Sequence, residues 1–254
     1  MSEASPLAGK RVVITRPRAQ AGALAEKLAA LGAQPIVFPT IEIAPMDDAG
    51  PLEAALRQLE SYQWVVFTSA NGVAAFWERL NGGAGSGLGG LRFAAVGPAT
   101  ARALQKRGAT AAFIPDEYVA ESLAAGLGDV AGRRILLPHA ELAREVLADE
   151  LRQRGATVDE IAVYRTLPAA PDPAGLAELK RGVEAVTFTS GSAARNFAAL
   201  AGLPAAGPRP AVACIGPVTA AVARQAGLPV DVVAAEFTLD GLVAALAGYF
   251  AQTQ

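Results

Sequence analysis

Two short stretches of this chain combine residue types that hold anions. Val65–Phe76 reads V-V-F-T-S-A-N-G-V-A-A-F, and Val186–Phe197 reads V-T-F-T-S-G-S-A-A-R-N-F. In each, a β-rich apolar run turns on a small polar cluster and continues at helical spacing, as Val73, Phe76, Trp77 and Leu80 do after the first. The pattern predicts a strand, a tight turn and a helix N-terminus. Side-chain oxygens in Thr68-Ser69-Ala70-Asn71 and Thr189-Ser190-Gly191-Ser192 can cap first-turn amides. The remaining amides sit at the positive end of a helix dipole, where a carboxylate or phosphate is favoured. Capping alone explains one such turn; its repetition favours a ligand.

The elements around these turns also repeat. Arg11–Thr15 reads as a buried parallel strand, followed by the turn Arg16-Pro17-Arg18 and a helix marked by Leu24, Leu28 and Leu31 that stops at Gly32. Pro35–Ile43 is extended, and Pro39 restricts it to an edge strand or connector. Leu52–Leu59 is helical, and Tyr62–Thr68 is the strand before the first cluster. Phe93–Val96 leads into Gly97-Pro98-Ala99-Thr100-Ala101, and Tyr118–Leu123 opens a further helix. The pattern then restarts. Gly132–Leu137 echoes Gly9–Ile14, and Leu147, Leu151 and Gly155 match Leu24, Leu28 and Gly32. Asp159–Leu167 is a second connector-like strand, Gly216-Pro217-Val218-Thr219-Ala220 repeats the G-P-x-T-A turn, and Phe237–Leu242 echoes Tyr118–Leu123. The offset drifts from 123 (147 − 24) through 121 (188 − 67) to 119 (216 − 97), as an internal duplication with short indels would.

A repeat of half the chain predicts two similar domains. Alternating strands and helices predict parallel sheets covered on both faces. Ligands of such sheets bind beyond the strands' carboxyl ends, where every polar turn above falls. A cleft lined by two such rims is the expected site.

Composition narrows the function classes. The 254 residues are 52% apolar with net charge −2, which suits buried cores and argues against nucleic acid or an anionic membrane as partner. One cysteine, Cys214, excludes an internal disulfide and reads as a core residue. With one histidine, His139, a transition-metal site is not expected; His139 follows a predicted strand and reads as structural or solvent-facing. Trp64 and Trp77 are expected to pack on their own sheet and helix. Met1–Lys10 lacks an apolar leader core, and no apolar run is long enough to cross a bilayer, so a cytoplasmic protein is expected. Gly85, Gly87 and Gly90 match the spacing of a dinucleotide turn, but they precede a strand rather than follow one, so no dinucleotide is expected.

The T-R-P turn at Thr15–Pro17, the paired F-T-S and G-P-x-T-A turns, E-Y-V-A-E-S-L at Glu117–Leu123 and Y-R-T at Tyr164–Thr166 resemble the uroporphyrinogen-III synthase family from about Gly9 to Leu246. The resemblance implies two flavodoxin-like α/β domains with parallel sheets, joined by a two-stranded ladder acting as a hinge. Residues 1–37 with 168–254 would form a discontinuous domain and 44–160 the other, with 38–43 and 161–167 as connectors. It also implies a cyclising lyase of tetrapyrrole biosynthesis that converts hydroxymethylbilane to uroporphyrinogen III, losing water and inverting the last pyrrole, with no cofactor. A monomer in transient contact with hydroxymethylbilane synthase is expected.

By the same resemblance, Tyr164 is the catalytic candidate. A phenol of ordinary pKa, about 10, stays protonated at neutral pH and can donate to a leaving hydroxyl. Packing over the ladder is its plain alternative. The substrate's acetates and propionates would be held by Thr68, Ser69, Asn71, Thr100, Ser190, Gly191, Ser192 and Thr219 with neighbouring amides. Arg16 offers a guanidinium fork to a carboxylate, or is simply a surface arginine. A hinged small-molecule binding protein, a nucleotide-sugar transferase and a regulatory module that kept the fold without the activity remain the competing classes.

Overall fold

The central strands are apolar on both sides. Val12, Val13 and Ile14 of β1 (Arg11–Ile14) are fully buried, as are Val65, Val66 and Phe67 of β4 (Trp64–Phe67) and the whole of β9 (Ala185–Phe188) and β10 (Ala211–Cys214). Strands buried on two faces belong to parallel sheets with helices above and below. The computed structural model describes residues 5–80, 88, 90–117, 120–142, 146–203 and 208–253. Gly85, Gly87 and Tyr118 lie outside the described residues.

Two compact units result, one of Met1–Glu42 with Leu167–Gln254 and one of Ile43–Thr166. In the first, β1 pairs in parallel with β2 (Gln34–Val37) and with β9, and β10 joins β9 to β11 (Val232–Val233), giving the order β11-β10-β9-β1-β2. In chain order that is 2-1-3-4-5, the flavodoxin-like arrangement. Alternate residues feed opposite faces. Val12, Ile14, Ala211 and Ala213 pack with α1 (Arg18–Ala30) and α10 (Leu239–Gln252), while Val13, Val186, Phe188, Val212 and Cys214 pack with α7 (Pro173–Lys180), α8 (Gly191–Leu200) and α9 (Pro217–Gln225).

The second unit's sheet has the order β3-β8-β7-β4-β5-β6, with β3 Ile41–Pro45, β5 Arg92–Ala95, β6 Ala111–Phe113, β7 Arg134–Ala140 and β8 Thr157–Pro168. Here β7 and β8 stand to β4, β5 and β6 as β1 and β2 stand to β9, β10 and β11. The first sheet therefore takes two strands from one sequence repeat and three from the other, and the second takes two and four, with β3 added at its edge. One face packs on α2 (Gly50–Arg57), α3 (Ala70–Arg79) and α4 (Pro98–Gln105), where Phe67, Phe76, Trp77 and Phe93 form an aromatic cluster with centroids 5.1–6.4 Å apart. The other packs on α5 (Ala120–Gly126) and α6 (Val146–Gln153).

Pro39 falls between β2 and β3, each an edge strand of its sheet, so the break it imposes is real. The chain crosses between the units within β3 and β8, which are neighbours in the second sheet.

Candidate active site

In each sheet the strand order reverses beside one strand, and the turns flanking that point are where a ligand is received. In the second unit the reversal lies between β7 and β4, so the turn after Phe67 and the end of β7 converge there. Ser69 is the N-cap of α3, and its Oγ accepts from the Gly72 amide at 3.0 Å. Tyr164, on β8, donates its hydroxyl to the same Oγ at 3.0 Å. That link depends on the chain pairing Tyr164 with Ala140 across a register shift at His139/Ala140. Gly72 allows α3 to come this close: a methyl carbon there would lie 3.3 Å from both the Pro138 carbonyl oxygen and Ser69 Oγ.

Thr68 is exposed and Asn71 half-buried on the same turn. Thr100 sits in the first turn of α4, which has Gly97 as its N-cap and Pro98 at its start, so no side chain caps it. His139, expected after the strand, lies inside β7, because pairing with β8 carries that strand on to Ala140. Its Nδ1 contacts the Ala140 carbonyl oxygen at 2.6 Å.

The first unit repeats the plan at the reversal between β1 and β9. Ser190 caps α8, accepting from the Ala193 amide at 3.2 Å. Thr15 and Thr187 stitch the two strands together, Thr15 Oγ1 donating to the Thr187 carbonyl at 2.8 Å and Thr187 Oγ1 to the Val13 carbonyl at 2.7 Å. Thr40 Oγ1 adds a bond to the Ala193 carbonyl at 3.0 Å, tying the β2–β3 connection to the capped turn. Gly191 has a packing reason as well as a candidate binding role, since a methyl carbon there would lie 2.9 Å from Val222 Cγ2 of α9. Ser192 follows it, half-buried, and Thr219 occupies in α9 the place of Thr100 in α4.

These two threonines differ from the other buried ones. Thr100 and Thr219 are 4% and 6% exposed, yet among the described residues neither hydroxyl has a hydrogen-bond partner. Neither hydroxyl is both unpartnered and sealed from solvent, a combination met only by Trp64 Nε1 and Arg165 Nε among the described residues. A buried hydroxyl ordinarily finds a partner. Two at matching rim positions, each open to solvent and beside uncapped helix amides, suit ligand oxygens.

Arg16 is half-buried rather than a free surface arginine. Its Nε and Nη2 donate to the carbonyl oxygen (3.1 Å) and Oε1 (3.2 Å) of Gln20, and burial pulls the guanidinium below its ordinary pKa. A bound carboxylate would relieve that desolvation. Gln20 is a neighbour that motif reading passed over; its signal is the four-residue spacing from Arg16 at the start of a helix. Arg165, next to Tyr164, pairs with Asp47. Among the described residues no group of three or more His, Cys, Asp or Glu could hold a metal ion, and no helix is long and apolar enough to cross a membrane.

A family model described as uroporphyrinogen-III synthase HemD matches residues 22–244. A protein named uroporphyrinogen-III synthase from Synechococcus elongatus is 35% identical, over 98% of this chain and 98% of its own. One of the same name from Chlorobaculum parvum is 30% identical, over 88% of this chain and 92% of its own. Among solved structures, a mutant uroporphyrinogen III synthase from the extremely thermophilic bacterium Thermus thermophilus aligns with a TM-score of 0.64 at 23% identity, covering 97% of this chain and all of that one (100%). At that identity the likeness concerns the fold.

Proposed function

The chain belongs to the uroporphyrinogen-III synthase family, and from that membership we propose that Tyr164 and the two polar rims carry out the family reaction here. Members of the family cyclise hydroxymethylbilane in tetrapyrrole biosynthesis. The linear tetrapyrrole loses water and closes to uroporphyrinogen III with its last ring inverted, through a spiro intermediate. Electron density from the terminal pyrrole nitrogen expels the hydroxymethyl oxygen. Tyr164 supplies that oxygen's proton, so water rather than hydroxide departs. The resulting phenolate recovers a proton when the attacked pyrrole becomes aromatic again.

Acid assistance of this kind contributes roughly 10²–10⁴-fold. Holding the chain ends together contributes up to about 7–11 kcal/mol. Positioning therefore outweighs proton donation. The substrate's carboxylates are its handles, taken by Thr68, Ser69, Asn71 and Thr100 on one rim and by Arg16, Ser190, Gly191, Ser192 and Thr219 on the other. Each exposed helix-terminus contact is worth about 0.3–1 kcal/mol, so several must act together. The crossings in β3 and β8 serve as the flexible connection that lets substrate enter. The enzyme works as a cytoplasmic monomer that receives its bilane by transient contact with hydroxymethylbilane synthase.

The observation that carries the assignment of chemistry is the Tyr164 phenol, 3.0 Å from Ser69 Oγ at the point of strand reversal. With freshly made hydroxymethylbilane, Tyr164→Phe is expected to lower kcat about 100-fold. Undiminished turnover would remove Tyr164 from the mechanism.

A further inference from the structure

The carboxylate handles leave the flat apolar faces of the pyrroles unaccounted for. Around the α9 N-terminus the first unit exposes two large apolar side chains, Val218 at 61% and Phe237 at 47%. Single exposed apolar residues are ordinary, but this pair flanks one feature. Gly216, the N-cap of α9, lies directly under the Phe237 ring: a methyl carbon on Gly216 would sit 3.1 Å from Cδ1, 3.3 Å from Cγ and 3.5 Å from Cε1. Val218 is the second residue of the helix and Thr219, with its unpartnered hydroxyl, the third.

Phe237 is held in place by the turn that carries it. The Thr238 amide donates to the Glu236 carbonyl at 2.8 Å, and Thr238 Oγ1 caps α10 by accepting from the Gly241 amide at 3.0 Å. A methyl carbon on Gly241 would lie 2.2 Å from the Glu236 carbonyl oxygen, so the first turn of α10 is folded tightly over this segment. The ring is thus displayed on a fixed support, with half its surface left open. The other sequence repeat places an aromatic at the matching position, Tyr118 (237 − 118 = 119, the offset of the G-P-x-T-A turns).

We propose that Phe237, lying over Gly216 at the start of α9, is the seat for one pyrrole ring of the substrate, whose acidic side arm reaches the Thr219 hydroxyl and the first amides of α9. The ligand class is a pyrrole bearing short carboxylate arms. An aromatic face takes the ring by offset stacking, and the adjacent positive helix end takes the charge. A purely anionic ligand would need no aromatic there, and a purely apolar one would leave the threonine hydroxyl unused. The proposal rests on the family reading of the reaction and adds a residue that discriminates ring from carboxylate.

The test compares wild type with Phe237→Ala and Phe237→Leu, whose exposed positions leave folding intact, and with Gly216→Ala, which displaces the ring. Phe237→Ala is expected to raise KM for hydroxymethylbilane about tenfold with kcat changed by less than about twofold, which corresponds to aromatic pairing of roughly 1.4 kcal/mol. Gly216→Ala should move KM in the same direction, and Phe237→Leu should fall between. Titration with a monopyrrole carrying one acetate and one propionate should show binding weakened in Phe237→Ala. Succinate, which has the charges and no ring, should bind wild type and variant alike. Unchanged KM in an active Phe237→Ala enzyme overturns the pyrrole seat, as does equal loss of both probes. A wild-type enzyme that does not consume hydroxymethylbilane overturns the family reading instead, and the monopyrrole titration still decides the seat.

Discussion

The Tyr164 hydroxyl and the Gly72 amide both donate to one oxygen, Ser69 Oγ, each at 3.0 Å. The same serine therefore caps α3 and holds the phenol on β8. The Ser69 oxygen uses both lone pairs as an acceptor, which leaves its own proton free to support a phenolate on Tyr164 without movement of heavy atoms.

Ser69→Ala is expected to cost about 1 kcal/mol of stability through the lost cap and to lower kcat by about tenfold. In a Tyr164→Phe background the same change should lower kcat by less than about twofold, because the two residues act as a unit. Ser69→Thr, which keeps cap and hydroxyl, should retain most activity. Independent, additive losses in the double variant would show that Ser69 is only a cap.

The buried threonines divide into two groups with opposite expectations. Thr15→Val and Thr187→Val each break a bond to a strand carbonyl and should cost about 1–2 kcal/mol in urea unfolding. Thr100→Val and Thr219→Val break none among the described residues and should leave stability within about 0.5 kcal/mol while raising KM about threefold or more. Thermal and urea unfolding alongside steady-state kinetics separates the groups, and stable rim variants with unaltered KM would remove these hydroxyls from substrate binding.

Much of the fold was legible because capping needs particular side chains at particular places. Ser69 and Ser190 cap as their turns predicted, Pro39 marks the break between β2 and β3, and alternate burial of Val12, Val13 and Ile14 follows from strands covered on both faces. His139 shows where local pattern stops. Nothing around it says that β7 extends to Ala140, because that depends on pairing with β8 across a register shift. Which sheet a strand joins is likewise a long-range choice: β1 and β2 share a sheet with β9–β11, strands of the other sequence repeat. The two capping turns were readable from spacing, but the link from Tyr164 to Ser69 was not, and Phe237 gave only the echo with Tyr118 as a signal.

Asp231 gives the molecule an acid-sensitive contact. It accepts from both Arg209 Nη atoms at 2.7 Å and from the Val212 amide at 2.8 Å. Burial alone would raise its pKa, but those bonds and the Arg209 charge outweigh it and hold the carboxyl below its ordinary 3.8. A depressed folded-state pKa stabilises above the unfolded value, near 3.9, and that stability is lost as pH falls through the folded value. Asp231→Asn should therefore lower urea-unfolding stability at pH 7 and lose less relative to wild type at pH 3. Equal deficits at the two pH values would contradict this.

Cys214 should be inert in the folded protein. Burial pushes its thiol up to about 11, with a small opposing effect from Arg224. At pH 8, iodoacetamide should modify it at least 100-fold more slowly in buffer than in 6 M urea. Comparable rates would mean that the β10 core opens readily.

The most direct measurement supplies fresh hydroxymethylbilane to the purified protein in excess, oxidises the products and separates the uroporphyrin isomers. An enzyme that works by positioning the chain ends should yield almost entirely the type III macrocycle before spontaneous closure competes. A mixture containing only type I, formed no faster than in buffer, would contradict the account.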